Sequence, residues 1–108
     1  MNKGDIILPP FPFAELTNKK VRPAVVICET SHKYKDLVVC AISSVIPSEP
    51  GVNEVLLNPD QTNKLRAESV IKVDRIVTVK RRDIIARIGR LDPECLAVFQ
   101  EKFKSLID

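Results

Sequence analysis

Arg22, Ser43 and Ser44 are the side chains of this sequence best suited to act on a phosphate. A guanidinium is charged at every physiological pH and presents five N–H donors in a rigid fork that matches phosphodiester oxygens. A serine hydroxyl adds a hydrogen bond that strengthens as negative charge builds on those oxygens. These residues are far apart in sequence, but the patterning around them brings them together. Residues 21–28 and 37–43 are both rich in β-branched side chains, and the polar stretch between them reads as a connection, so the two form a hairpin. Antiparallel pairing sets the start of one strand beside the end of the next, which carries Arg22 to Ser43 and Ser44. Taken singly, each residue also has an ordinary reading: a solvated arginine at a strand entrance, and serines that serve a turn. Their convergence is what favours the chemical one.

Other chemistries are poorly provided for. His32 is the only histidine, the cysteines Cys28, Cys40 and Cys95 are odd in number and widely spaced, and no Cys-x-x-Cys pair occurs. The usual zinc ligand sets and a disulfide framework are therefore missing, and we expect no metal and no other cofactor. Cys28 and Cys40 lie in apolar strand-like runs and read as small buried hydrophobes. His32 titrates in the range that suits a general base, but it falls in the turn at the far end of the hairpin from Arg22. The net charge of +3 is unevenly spread. Residues 1–63 hold six basic and seven acidic side chains, residues 64–90 nine and three, and residues 91–108 two and four. The basic middle segment suits a nucleic acid partner, and equally a solvated basic face.

The elements that position these residues follow from the pattern. A chain of 108 residues is read as one domain, 1–108, with a modest core that oligomerisation would help. Its 44% hydrophobic and 29% charged content is that of a soluble globular protein, and its longest apolar runs are too short to span a membrane. The N-terminus enters a strand pattern without the apolar segment of a secretory signal, so the cytoplasm is the expected compartment. Strands are expected at residues 6–8, 21–28, 37–43, 54–57, 69–73, 76–79 and 84–91, the first stopped by Pro9, Pro10 and Pro12. Asn58-Pro59-Asp60 reads as a turn with one helical turn beyond it. Asp92 caps a helix with Pro93 at its first position, and Leu96, Phe99, Phe103, Leu106 and Ile107 share one face of it. Short strands closed by one amphipathic helix make a mainly β (α+β) fold, a small partly closed β-barrel.

Several blocks are more specific than composition. Gly4-Asp5-Ile6-Ile7, Pro10-Phe11-Pro12-Phe13, Val21-Arg22-Pro23-Ala24-Val25-Val26-Ile27, Ala41-Ile42-Ser43-Ser44, Ser69-Val70-Ile71-Lys72-Val73-Asp74-Arg75-Ile76 and Ile88-Gly89-Arg90-Leu91 occur in that order. Together they resemble the PemK/MazF family of toxin endoribonucleases over nearly the whole chain. The resemblance implies an SH3-like barrel that forms a homodimer, cuts single-stranded RNA such as mRNA at short motifs without metal, and is silenced by a cognate antitoxin protein. It places Arg22 on the family's catalytic arginine and Ser43 where the family usually has a catalytic threonine, so the hydroxyl is kept and the methyl lost. The implied reaction uses the RNA 2′-hydroxyl as nucleophile and leaves a 2′,3′-cyclic phosphate and a 5′-hydroxyl, so DNA is not a substrate. A guanidinium does not normally accept a proton, which makes Arg22 an electrostatic clamp first.

Thr17, Asn18, Lys19 and Lys20 fall in a loop that resembles the family's first loop, which closes over RNA or is displaced by antitoxin. Ser44, Asp74 and Arg75 are further expected RNA contacts, with Ser69 a weaker one of the same kind. Phe11 and Phe13 suit either base stacking or packing. Two other functions are open to the sequence. A same-fold toxin of the gyrase-poisoning type acts through a C-terminal Trp-Gly-Ile end, but this chain has no tryptophan and ends Ser105-Leu106-Ile107-Asp108. A catalytically silent RNA-binding module would keep the basic segment and bind RNA without cutting it.

Overall fold

The computed structural model describes residues 1–9 and 22–108. The expected contacts of Thr17, Asn18, Lys19 and Lys20, and the roles of Phe11 and Phe13, lie outside the described residues. Six strands form one antiparallel sheet: β1 (Asp5–Leu8), β2 (Ala24–Glu29), β3 (Leu37–Ser43), β4 (Glu54–Leu57), β5 (Ser69–Val79) and β6 (Ala86–Arg90). Their spatial order is β4-β5-β3-β2-β1-β6. A 3-10 turn, Arg81–Asp83, precedes β6, and helix α1 (Pro93–Ser105) follows it.

Side-chain alternation divides the sheet into two faces. Ile6, Val25, Cys40, Ile42, Val55, Leu57, Ile71 and Val73 project to one side, where Leu65, Leu91 and the fully buried Phe99 of α1 complete the main core. On the other side Ile7, Ala24, Val26, Leu37, Val39 and Val79 make a smaller buried cluster. The helix starts as expected, with the Asp92 carboxylate accepting from the Cys95 N–H at 2.8 Å and Pro93 at the first position, where its missing N–H costs nothing.

The sheet is not closed by a β4–β6 pairing, yet its ends are drawn together. The Arg90 N–H of β6 donates to the carbonyl of Thr62, in the connection between β4 and β5, at 3.0 Å. Beyond Asp60 the chain makes the expected single helical turn, with the Lys64 N–H donating to the Asp60 carbonyl at 3.0 Å, and side chains of the loop hold it as well. Asp60 Oδ1 accepts from the N–H groups of Thr62 and Asn63, and Asn63 Oδ1 accepts from those of Asp60 and Leu65.

Three expectations change. Strand β2 begins at Ala24, because Pro23 has no N–H to give the ladder, although its carbonyl still accepts from Ile42 N–H at 3.0 Å. The expected break at Asp74-Arg75 is a bulge inside a continuous strand β5: Cys40 pairs with Ile76, and the next residue, Ala41, pairs with Lys72. Cys28 is exposed and not buried, because a register shift between Val26 and Cys28 turns the end of β2 out of the core.

Candidate functional site

Ladder register builds the site. Ala24 lies opposite Ala41, and the Ile42–Pro23 hydrogen bond carries the pairing one residue further, so the next position sets Arg22 opposite Ser43. Directly opposed residues share a face, with Cβ atoms roughly 5 Å apart. That face is the one away from α1, since Ile42 and Val25, which alternate with Ser43 and Ala24, both belong to the helix-side core. Arg22 is exposed, and among the described residues no carboxylate pairs with it. Ser43 is half-buried, and its Oγ accepts from the Val45 N–H at 3.1 Å. This bond uses a lone pair, orients the hydroxyl and leaves its O–H free to donate. Ser44 is exposed just beyond the strand end.

The neighbouring row extends the same face. Ile7, Ala24, Ala41, Lys72 and Glu54 are successive partners across β1, β2, β3, β5 and β4, and Arg87 of β6 lies opposite Ile7. Lys72 and Glu54 form an ion pair, and the second Glu54 oxygen accepts from Gly51 N–H at 2.6 Å. The bond from Lys72, then that from Gly51, hold the Glu54 carboxyl below its ordinary range. Beside them the β5 bulge turns Asp74 and Arg75 outward, and these residues with Asn53, Glu54 and Lys72 line a solvent-open hollow of about 460 Å³. Beneath the bulge, Cys40 donates from Sγ to the Val73 carbonyl at 3.3 Å. Burial, helped by the charge of Asp74, pushes its thiol up to about 12, so it is inert as a nucleophile.

Arg22, Ser43, Asp74 and Arg75 are thus set around one surface, with Ser44 exposed at its edge beyond the end of β3. Ser69 is not. It is buried, its hydroxyl donates to the Ala67 carbonyl at 2.9 Å, and its opposite residue Leu57 belongs to the helix-side core, so it lies behind the sheet. His32 bonds Asp36 at 3.2 Å in the turn between β2 and β3, at the other end of the hairpin from Arg22. Sequence reasoning missed Lys72, Glu54 and Asn53. The signal available was Lys72 itself, the one charged residue among Ser69-Val70-Ile71-Lys72-Val73, which by alternation must leave the apolar face.

The family model of the PemK-like, MazF-like toxin of type II toxin-antitoxin systems matches residues 2–107. The chain belongs to this toxin family. Solved structures agree in fold with this PemK-like, MazF-like toxin. A mycobacterial endoribonuclease in complex with its cognate antitoxin aligns with a TM-score of 0.76 at 11% identity, covering 99% of this chain and 94% of that one. MazF from Deinococcus radiodurans aligns at 0.71 and 22% identity over 99% and 96%, and toxin MazF-mt6 from Mycobacterium tuberculosis at 0.69 and 19% over 96% of each. Comparison with curated protein sequences returned no match. Among the described residues of the toxin, no helix is long and apolar enough to cross a membrane.

Proposed function

We propose that this toxin is a metal-independent, sequence-specific endoribonuclease of single-stranded RNA, acting in the cytoplasm as a single-domain protomer of a homodimer and restrained by a cognate antitoxin. The observation that supports this reading is the β2–β3 register, which, continued one position past the Ile42–Pro23 bond, brings Arg22 across from Ser43 on the face α1 leaves open. Arg22 holds the nonbridging oxygens of the scissile phosphate, and the Ser43 hydroxyl donates to the same group. As the 2′-oxygen attacks phosphorus, its proton leaves, the bond to the 5′-oxygen breaks, and that oxygen takes up a proton. The products are a 2′,3′-cyclic phosphate and a 5′-hydroxyl. Both side chains bind most strongly when charge on the phosphorane is greatest, which is what lowers the barrier. His32, tied to Asp36 in the far turn, is not placed to take the 2′ proton. Ser44, Asp74 and Arg75 hold the flanking RNA, joined by Thr17, Asn18, Lys19 and Lys20.

The test is cleavage of a long RNA by the pure protein in EDTA, with the product ends mapped. Cutting is expected to persist in chelator and to fail wherever the 2′-hydroxyl at the scissile position is replaced by hydrogen. Arg22→Ala is expected to lower kcat/KM by about 10²–10³-fold and Ser43→Ala by about 10²-fold, with unchanged thermal melting. Ser43→Thr, which restores the family's usual residue, is expected to stay within about tenfold of the parent. Parental rates in both alanine variants would exclude this site.

A further inference from the structure

The hollow beside the β5 bulge has features that a plain phosphate groove does not need. Its charged floor is already neutralised, since Glu54 and Lys72 are spent on each other and on Gly51. The groups with capacity left are of another kind. Among the described residues, the Asn53 side-chain amide makes no hydrogen bond within the chain, and Asp74 and Arg75 make no ion pair. Asn53 is held in place by its backbone, whose carbonyl accepts from the Val73 N–H at 2.9 Å. On the rim Val52 is 80% exposed, an apolar surface that no other described residue covers. A carboxylate acceptor, an amide that both donates and accepts, and an apolar rim suit the edge and face of an unstacked base, and the Arg75 guanidinium suits the phosphate attached to it.

Placement joins the hollow to the cleavage site. Lys72 is one strand over from β3 and opposite Ala41, one side-chain row from Ser43. At ordinary strand spacing and rise that puts it roughly 8 Å from Ser43 on the same face, close enough for a nucleotide next to the scissile phosphate. Resting on the endoribonuclease reading above, we infer that this hollow is the specificity pocket for one base flanking the cut, and that it selects a base with an exocyclic amino group over uracil. The amino group donates to Asp74, and the adjacent ring nitrogen or carbonyl oxygen accepts from Asn53 Nδ2. Uracil has no exocyclic donor for Asp74 and would leave its carboxylate facing a carbonyl.

The probes are short single-stranded RNAs containing one mapped cut site, with uracil placed in turn at each flanking position. One position is expected to lose at least tenfold in kcat/KM on going from an amino-bearing base to uracil. Asn53→Ala and Asp74→Asn are each expected to cut the two substrates at rates within about threefold of each other, while preferences at the remaining positions hold. A uniform slowing with the parental preference intact would overturn the inference and leave the endoribonuclease reading standing. If the parent cuts no RNA, that reading falls. Binding of uncleavable oligonucleotides with a 2′-deoxy scissile position, read by fluorescence anisotropy, then decides the pocket alone: equal affinity for amino-bearing and uracil versions overturns it, and an affinity difference that Asp74→Asn abolishes upholds it.

Discussion

Asp5 is a carboxylate whose charge state is decided by two opposed effects. It is only 5% exposed, and this burial, the largest single influence on it, pushes its pKa upward. Against that, Arg87 forms an ion pair with it, Nε lying 3.0 Å from Oδ2, and donates from its terminal nitrogen to Oδ1 at 3.2 Å, and the Asn2 N–H donates at 2.8 Å. Together the donors win, and the group stays below its ordinary 3.8. Because the unfolded chain then binds the proton more tightly, this pair stabilises the fold above about pH 4 and the contribution is lost as pH falls through the lower, folded value. Asp5→Asn is expected to cost about 1–2 kcal/mol at pH 7, toward the lower end for a lost buried partner because the half-exposed Arg87 can return to water. Urea titrations at pH 7 and pH 3 should show the gap between parent and variant narrowing in acid. A gap of equal size at both pH values would mean that the ionised pair is not its source.

Element geometry turns on two places where backbone meets backbone. In β5 the bulge at Val73, Asp74 and Arg75 keeps one continuous strand while re-aiming its side chains, so Asp74 and Arg75 reach the hollow rather than lying along the ladder. In β6 Gly89 is pressed against the 62–63 loop. A Cβ there would meet the Asn63 carbonyl, and it would stand 2.7 Å from the Thr62 oxygen, closer than carbon and oxygen can pack. The loop cannot easily yield, since the Arg90–Thr62 hydrogen bond and the Asp60–Asn63 side-chain bonds hold it. Gly89→Ala is therefore expected to destabilise by about 1–3 kcal/mol through overpacking, read as a lower urea midpoint with an unchanged slope. An unaltered midpoint would show that the loop gives way freely.

Across the whole molecule, the main core and the proposed cleavage site lie on opposite faces of one sheet. The helix-side core, from Ile6 to Phe99, excludes water, whereas the other face carries Arg22, Ser43 and the hollow as well as a smaller apolar cluster. How deeply the strands are buried can be read by thiol chemistry. Cys28 is exposed and Cys40 wholly buried with its thiol pushed up to about 12. Under native conditions at pH 8, iodoacetamide is expected to modify Cys28 readily and Cys40 only as fast as the protein unfolds globally, as mass spectrometry of digests would show. Equal rates at the two thiols would mean that β3 opens locally, and would remove the rigid support assumed for Ser43.

Strand and helix identities were legible in the residues because they rest on local effects: β-branched runs, prolines that stop a ladder, and an Asp-Pro start with apolar residues on one helical face. The pairing of Arg22 with Ser43 was legible too, since a hairpin leaves antiparallel partners little freedom. Sequence alone also supplied the family likeness. What it could not decide depends on register between strands distant in the chain. A single bulge sends Asp74 outward, a shift at Val26 exposes Cys28, and the pairing of Leu57 with Ser69 turns that serine away from the site. Glu54 and Lys72 are 18 positions apart and acquire a common row only when β4 joins β5. Because strand side chains repeat every two residues, an offset of one reverses the face of everything beyond it, and that offset is set by the packed sheet rather than by any local stretch.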